Sequence, residues 1–149
     1  MDPRDFYLQA SEIANGKPSA SFGKRAVDYR SSISRAYYAT FNVAVQLLTS
    51  MNVSIPESGE AHMHVQRYLR YCGDQTIQAV GNQLSGLREM RNHADYHLHN
   101  KDAEDRRTAL LYLAQAKVLI NDLDACNCPS RRAKILAGIK AYKRRTNQP

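Results

Sequence analysis

AVDYRSSISRAYYATFNVAVQLLTSM, residues 26–51, is the stretch whose spacing decides the fold. Its Ala26, Tyr29, Ile33, Tyr37, Phe41, Ala44, Leu48 and Met51 recur at intervals of three and four, which places them on one face of an α-helix. A stripe sustained for about seven turns predicts a long core helix that must bury this face against other helices.

The same period extends outward in both directions. Upstream, a helix is expected from Arg4 to Ala14, stopped by Asn15-Gly16, with Pro18 holding the loop open and Ser19 or Ser21 capping the long helix. Downstream, Pro56 and Gly59 mark a loop before a third helix containing Met63, Val65, Tyr68 and Leu69. Gly73 should end it, and Asp74 is suited to cap a fourth helix carrying Ile77, Val80, Leu84, Leu87, Ala94 and Leu98. Gly81 and Gly86 within that helix each cost about 1 kcal/mol relative to alanine, so both are expected where another backbone approaches closely. Asp102, followed by Glu104 and Asp105, is the expected cap of a fifth helix through Leu110, Leu113, Ala114, Lys117, Ile120 and Leu123. Pro129-Ser130 then separates a short basic helix with Ile135, Leu136, Ile139 and Tyr142. No segment alternates with the strand period, so the fold class is all-α, a four-helix bundle with additional short helices. The bundle is expected to occupy residues 1–128 and a basic helix or tail residues 129–149.

Composition narrows the function classes. No apolar run approaches the roughly 20 residues of a membrane span, and the N-terminus lacks the basic and apolar regions of a secretory signal. A soluble, cytoplasmic protein without a membrane partner is the expectation. Cys72, Cys126 and Cys128 are an odd set expected to be reduced, at no zinc spacing, so neither a metal site nor a cofactor is predicted. The formal net charge of +7 lies wholly in the C-terminal segment, on Arg131, Arg132, Lys134, Lys140, Lys143, Arg144 and Arg145. Such a run suits an arm that meets RNA phosphates, or merely a solvated tail.

Polar chemistry concentrates between Arg88 and His99, where two arginines, three histidines, Asn92, Asp95 and Tyr96 lie within twelve residues. Arg91 stands where the apolar stripe of the fourth helix, Leu87 then Ala94, needs a hydrophobe, and a cation there needs a reason. Asp95, four residues on, can meet it. Histidine can take a proton from a ribose 2′-hydroxyl or give one to a departing 5′-oxygen, and arginine can hold the nonbridging phosphate oxygens. Arg91 and His97 lie about 120° apart on an ideal helix, so the helix must end or kink near Tyr96 or a twofold dimer must bring two chains together in one cleft. His93 and His97 have the spacing of a two-histidine metal site, yet no glutamate follows His93 as a metalloprotease requires. Tyr37, Tyr38 and Phe41 read as core rather than as a base-stacking platform. His62 and His64 read as solvated surface.

Ser34-Arg35-Ala36-Tyr37-Tyr38-Ala39-Thr40-Phe41 together with Leu87-Arg88-Glu89-Met90-Arg91-Asn92-His93-Ala94-Asp95-Tyr96 resembles the HEPN superfamily, in particular its small prokaryotic members, over roughly residues 5 to 125. The resemblance implies a helical bundle that forms a homodimer. It also implies an endoribonuclease motif in which Arg91 with polar Asn92 is followed by His97. Arg88 with His93 fits the same pattern less well, and Asp95 and Tyr96 support it. A tyrosine expected two residues after the histidine is replaced by His99, a departure that bears on catalysis. The functions implied are a hydrolase of RNA, the toxin or effector of a toxin-antitoxin or other defence system, or a noncatalytic dimer that binds a nucleotide or a protein. The implied protein partners are an antitoxin or a nucleotidyltransferase.

Overall fold

The computed structural model describes residues 1–16 and 22–147, the side chains of residues 22–24 excepted. Among these residues the chain is all-helical: α1 (Arg4–Asn15), α2 (Phe22–Thr49), α3 (Ala61–Arg70), α4 (Gln75–Tyr96), a 3-10 turn (Asp102–Glu104), α5 (Arg106–Ala125) and α6 (Pro129–Arg145). The expected caps Ser19 and Ser21, and Pro18, lie outside the described residues.

α2 is the central helix and packs against α1, α4 and α5, while α3 packs on α4. Its predicted stripe is buried at Ala26, Ile33, Tyr37, Phe41, Ala44, Leu48 and Met51, but Tyr29 is only partly so. The α1 contact uses small residues. Ala10 and Ala14 are buried there, and the Ser32 hydroxyl donates to the Ala10 carbonyl at 2.9 Å. After α2 the chain turns through Asn52 at φ 60°, and the Val53 amide returns to the Leu48 carbonyl at 3.1 Å, which satisfies an orphan acceptor of the helix end.

Asp74 caps α4 as expected, its Oδ1 accepting the Ile77 amide at 3.2 Å. Gly81 permits close approach, because a Cβ there would stand 2.8 Å from the Arg70 amide nitrogen of α3. Gly86 does not: nothing lies within 4 Å of the corresponding position, so this glycine serves no close approach.

Two expectations around the end of α4 are corrected. The helix stops at Tyr96, one of the two alternatives open to it, so Leu98, predicted on the buried stripe, lies beyond the helix and is 70% exposed. The fifth helix is capped by Asp105, whose Oδ2 accepts the Thr108 amide at 2.9 Å, while Asp102 belongs to the preceding 3-10 turn. Arg30 of α2 holds the chain that leaves α4. Its guanidinium, 7% exposed, donates to the carbonyls of His93, Ala94, His97, Leu98 and Asn100 and to the Glu104 carboxylate at distances from 2.6 to 3.4 Å. A buried cation thereby satisfies the carbonyls that α4 leaves open and ties the following loop to α2. On α5 the buried face is Ala109, Leu113, Ala116, Leu119, Ile120 and Leu123, and the predicted stripe members Ala114 and Lys117 are exposed.

α6 is docked on the bundle. Ile135, Ile139 and Tyr142 belong to the same hydrophobic core cluster as α2 and α4, and Tyr142 stacks on Tyr71 with ring centroids 4.7 Å apart. A Cβ on Gly138 would fall 2.0 Å from the Cys72 carbonyl oxygen, the closest backbone approach made by any described glycine.

Candidate functional site

The site is built where α4 crosses α2. Arg91 occupies the gap in the α4 stripe and faces inward, its side chain 12% exposed. Three elements of chemistry hold it. Its Nε lies 2.9 Å from Asp95 Oδ2, an ion pair one helical turn away, although the N–H is not aimed at the carboxylate and so makes no directed hydrogen bond. Nη1 donates to Asn92 Oδ1 at 2.9 Å, and Nη2 donates to the Tyr38 hydroxyl. The flat cation also lies near three aromatic rings, 4.8 Å from the Tyr38 centroid, 5.2 Å from that of Tyr96 and 6.0 Å from that of Tyr37. Burial opposes the charge, but Tyr38 and Asp95 more than offset it and hold the guanidinium above its ordinary pKa. Asp95 is anchored from α2, since Ser34 Oγ donates to its Oδ2 at 3.0 Å.

The site extends to α3. Tyr37, 1% exposed, places its hydroxyl 2.7 Å from His62 Nδ1, and the His62 ring packs 4.3 Å from the Phe41 ring. Burial, followed by the fields of Arg88 and Arg91, holds the His62 imidazole below its ordinary pKa. Burial likewise pushes the Tyr37 hydroxyl well above the tyrosine value, against the pull of Arg88 and Arg91. The expectation that His62 and His64 are solvated surface is therefore corrected: His62 is half-buried among aromatic rings, and His64 is half-buried with its ring 5.8 Å from that of Tyr68. Tyr37 and Phe41 are core, as their stripe positions require, whereas Tyr38 is partly exposed and binds Arg91.

His97 sits at the C-cap of α4, exposed, its ring 5.2 Å from His93 and 5.7 Å from His99. Asn100 Nδ2 lies 2.9 Å from His93 Nδ1, which fixes the base of this histidine row. Among the described residues no hydrogen bond, ion pair or ring contact joins His97 to Arg91. One chain thus assembles Arg91 with Asn92, Asp95, Tyr96 and Tyr38, has Arg88 near enough to bias Tyr37 and His62, and sets the histidine row aside at the helix end. A shallow groove of about 430 Å³ opens beside Asp95 and Tyr96, with Val27 and Leu98 among its walls.

Of the basic C-terminal residues, two are committed to the fold. Arg131 makes a bidentate pair with Asp74 at 2.7 and 3.0 Å, and Arg132 donates to the Ser50 carbonyl and hydroxyl and to Asn127. Lys143 lies 5.2 Å above the Tyr68 ring, and Lys134, Lys140, Arg144 and Arg145 are exposed.

Sequence reasoning missed Arg30 and His62. Arg30 carried the signal that singled out Arg91, a cation four residues after Ala26 and three before Ile33, on the buried face. His62 carried none, because its partners belong to another helix. Among the described residues no group of three metal-ligating side chains could hold an ion, and no helix is long and apolar enough to cross a membrane. No protein-family model, curated protein or solved structure matches the chain.

Proposed function

We propose that the chain is a metal-independent endoribonuclease of HEPN type, acting as a toxin or defence effector. The observation that carries this reading is Arg91, a guanidinium kept on a buried stripe by Asn92, Asp95, Tyr38 and Tyr96, in the motif that also contains His97. In the reaction a ribose 2′-oxygen bonds to phosphorus as the P–O5′ bond breaks. A base takes the 2′-hydroxyl proton, an acid supplies one to the 5′-oxygen, and Arg91 neutralises charge on the nonbridging oxygens. The exposed ring of Tyr96, with exposed Val27 and Leu98 in the otherwise largely polar wall of the adjoining groove, offers a surface on which a base can stack. Lys134, Lys140, Arg144 and Arg145 are the exposed cations of α6 available to the RNA backbone.

The separation of Arg91 from His97 favours a homodimer in which the histidine of one chain serves the arginine of the other. It also supports a second reading, a noncatalytic HEPN dimer binding a nucleotide or a protein such as an antitoxin or nucleotidyltransferase. Incubation with RNA in EDTA separates them. Cleavage that leaves 2′,3′-cyclic phosphate ends and is lost in both Arg91→Ala and His97→Ala is expected of the nuclease. Intact RNA in the presence of folded dimer would leave the binding module.

A further inference from the structure

We propose that His62 is a substrate-contacting member of this site, facing a phosphodiester held by Arg88 and Arg91 and exchanging the proton of the adjoining ribose hydroxyl within a single chain. The inference rests on the nuclease reading for its chemistry and on geometry for its place.

Three observations carry it. First, the imidazole is positioned: its Nδ1 is 2.7 Å from the buried Tyr37 hydroxyl and its ring packs on Phe41 and near Tyr38, at centroid distances of 4.3 and 6.4 Å. A phenol can donate or accept, so Tyr37 holds the ring in either tautomer. Second, the opposite nitrogen is free to work. Nε2 makes no hydrogen bond within the described structure, and it is not among the polar atoms sealed from solvent without a partner. Third, the surroundings suit an anion. The rings of Tyr37 and Tyr38 of α2 stand 5.7 and 6.4 Å from the imidazole, and the Arg91 guanidinium of α4 lies 6.0 and 4.8 Å from those same two rings. The charges of Arg88 and Arg91 are the ones that act on the imidazole, and His64 shares its helix. Arg88 makes neither a hydrogen bond nor an ion pair among the described residues, an uncompensated cation beside a histidine whose charged form is disfavoured. A phosphate between them would relieve that repulsion, and the neutral ring would take the 2′-hydroxyl proton as the O2′–P bond forms. The departing 5′-oxygen takes its proton from solvent or from His97.

A purely structural histidine would do no more than satisfy Tyr37, and the two roles part experimentally. On the full-length wild-type chain with ¹⁵N-labelled imidazoles, a short 2′-deoxy oligonucleotide, which has no attacking hydroxyl, serves as the probe. Saturable movement of the His62 Nε2 resonance, with its pKa rising on binding and the response lost in Arg88→Ala, is expected. A His62 signal that stays still at saturating oligonucleotide overturns the proposal, whether or not other histidines respond. Cleavage is measured separately on RNA in EDTA. The rate should climb with pH through an apparent pKa below the ordinary histidine value, and His62→Gln, which can still bond Tyr37, should lose that limb and about 10²-fold or more in rate. Cleavage by His62→Gln within about twofold of wild type, with the acidic limb retained, would remove the proton-transfer role. Absence of cleavage in wild type with a responding His62 would instead defeat the nuclease reading and leave the anion site standing.

Discussion

Arg30 and Arg91 show how one residue type on a buried stripe takes different employment. Arg91 is flanked by aromatic rings and a carboxylate; Arg30 spends its donors on backbone carbonyls and Glu104. Arg30→Met keeps the stem and removes those donors, leaving carbonyls of the α4 terminus unsatisfied. A loss of about 1–3 kcal/mol is expected in urea unfolding, with faster amide exchange in residues 97 to 100 than elsewhere. Asp74 gives a pH prediction at the same scale. Hydrogen bonds from Arg131, against the opposing effect of burial, and the Ile77 amide hold its carboxyl below the ordinary 3.8. With the folded pKa depressed, its contribution is fully present above 3.8 and drains away as pH falls through the lower folded value. Asp74→Asn should therefore flatten the acid limb of stability against pH, read by thermal melts between neutral pH and about pH 2.

At the scale of elements, the two glycines of α4 make opposite demands. Gly81→Ala must push α3 away from α4, since its Cβ would meet Arg70 backbone and Leu69 Cβ at 2.8 and 2.9 Å, and a loss of about 1–3 kcal/mol is expected. Gly86→Ala meets nothing within 4 Å in an exposed helical position, so a gain of about 0.5–1 kcal/mol should appear in the same chemical melts. The sequence pattern treated these positions alike because a glycine's cost is local, whereas its justification is the neighbouring helix. The two ends of α4 differ in the same way. Asp74 was legible as a cap because its carboxylate serves an amide three residues ahead, but carbonyls at the other end are satisfied by an arginine more than sixty residues earlier.

The whole molecule decides what the basic C-terminal segment can do. Deleting residues 131 to 145 removes Ile135, Ile139 and Tyr142 from the core together with the partner of Asp74, so truncation tests stability rather than RNA binding. The informative variant neutralises Lys134, Lys140, Arg144 and Arg145, which are exposed. Its melting temperature should stay close to wild type, while RNA affinity falls and the slope of log K against log salt shrinks by about 0.7 for each phosphate that the variant leaves unneutralised. An unchanged slope in filter binding across a salt series would return these side chains to solvent.

The sequence alone determined the helical class, the α2 stripe, the Asp74 cap and the anomaly at Arg91, because side chains three and four residues apart share a helix face whatever the rest of the chain does. Only the tertiary structure decided that α4 ends at Tyr96, that α6 joins the core, that Arg91 and His97 do not meet in one chain, and that His62 lies beside Tyr37. These follow from contacts between helices distant in the chain, where packing and the need to satisfy buried polar groups choose partners that local spacing does not encode.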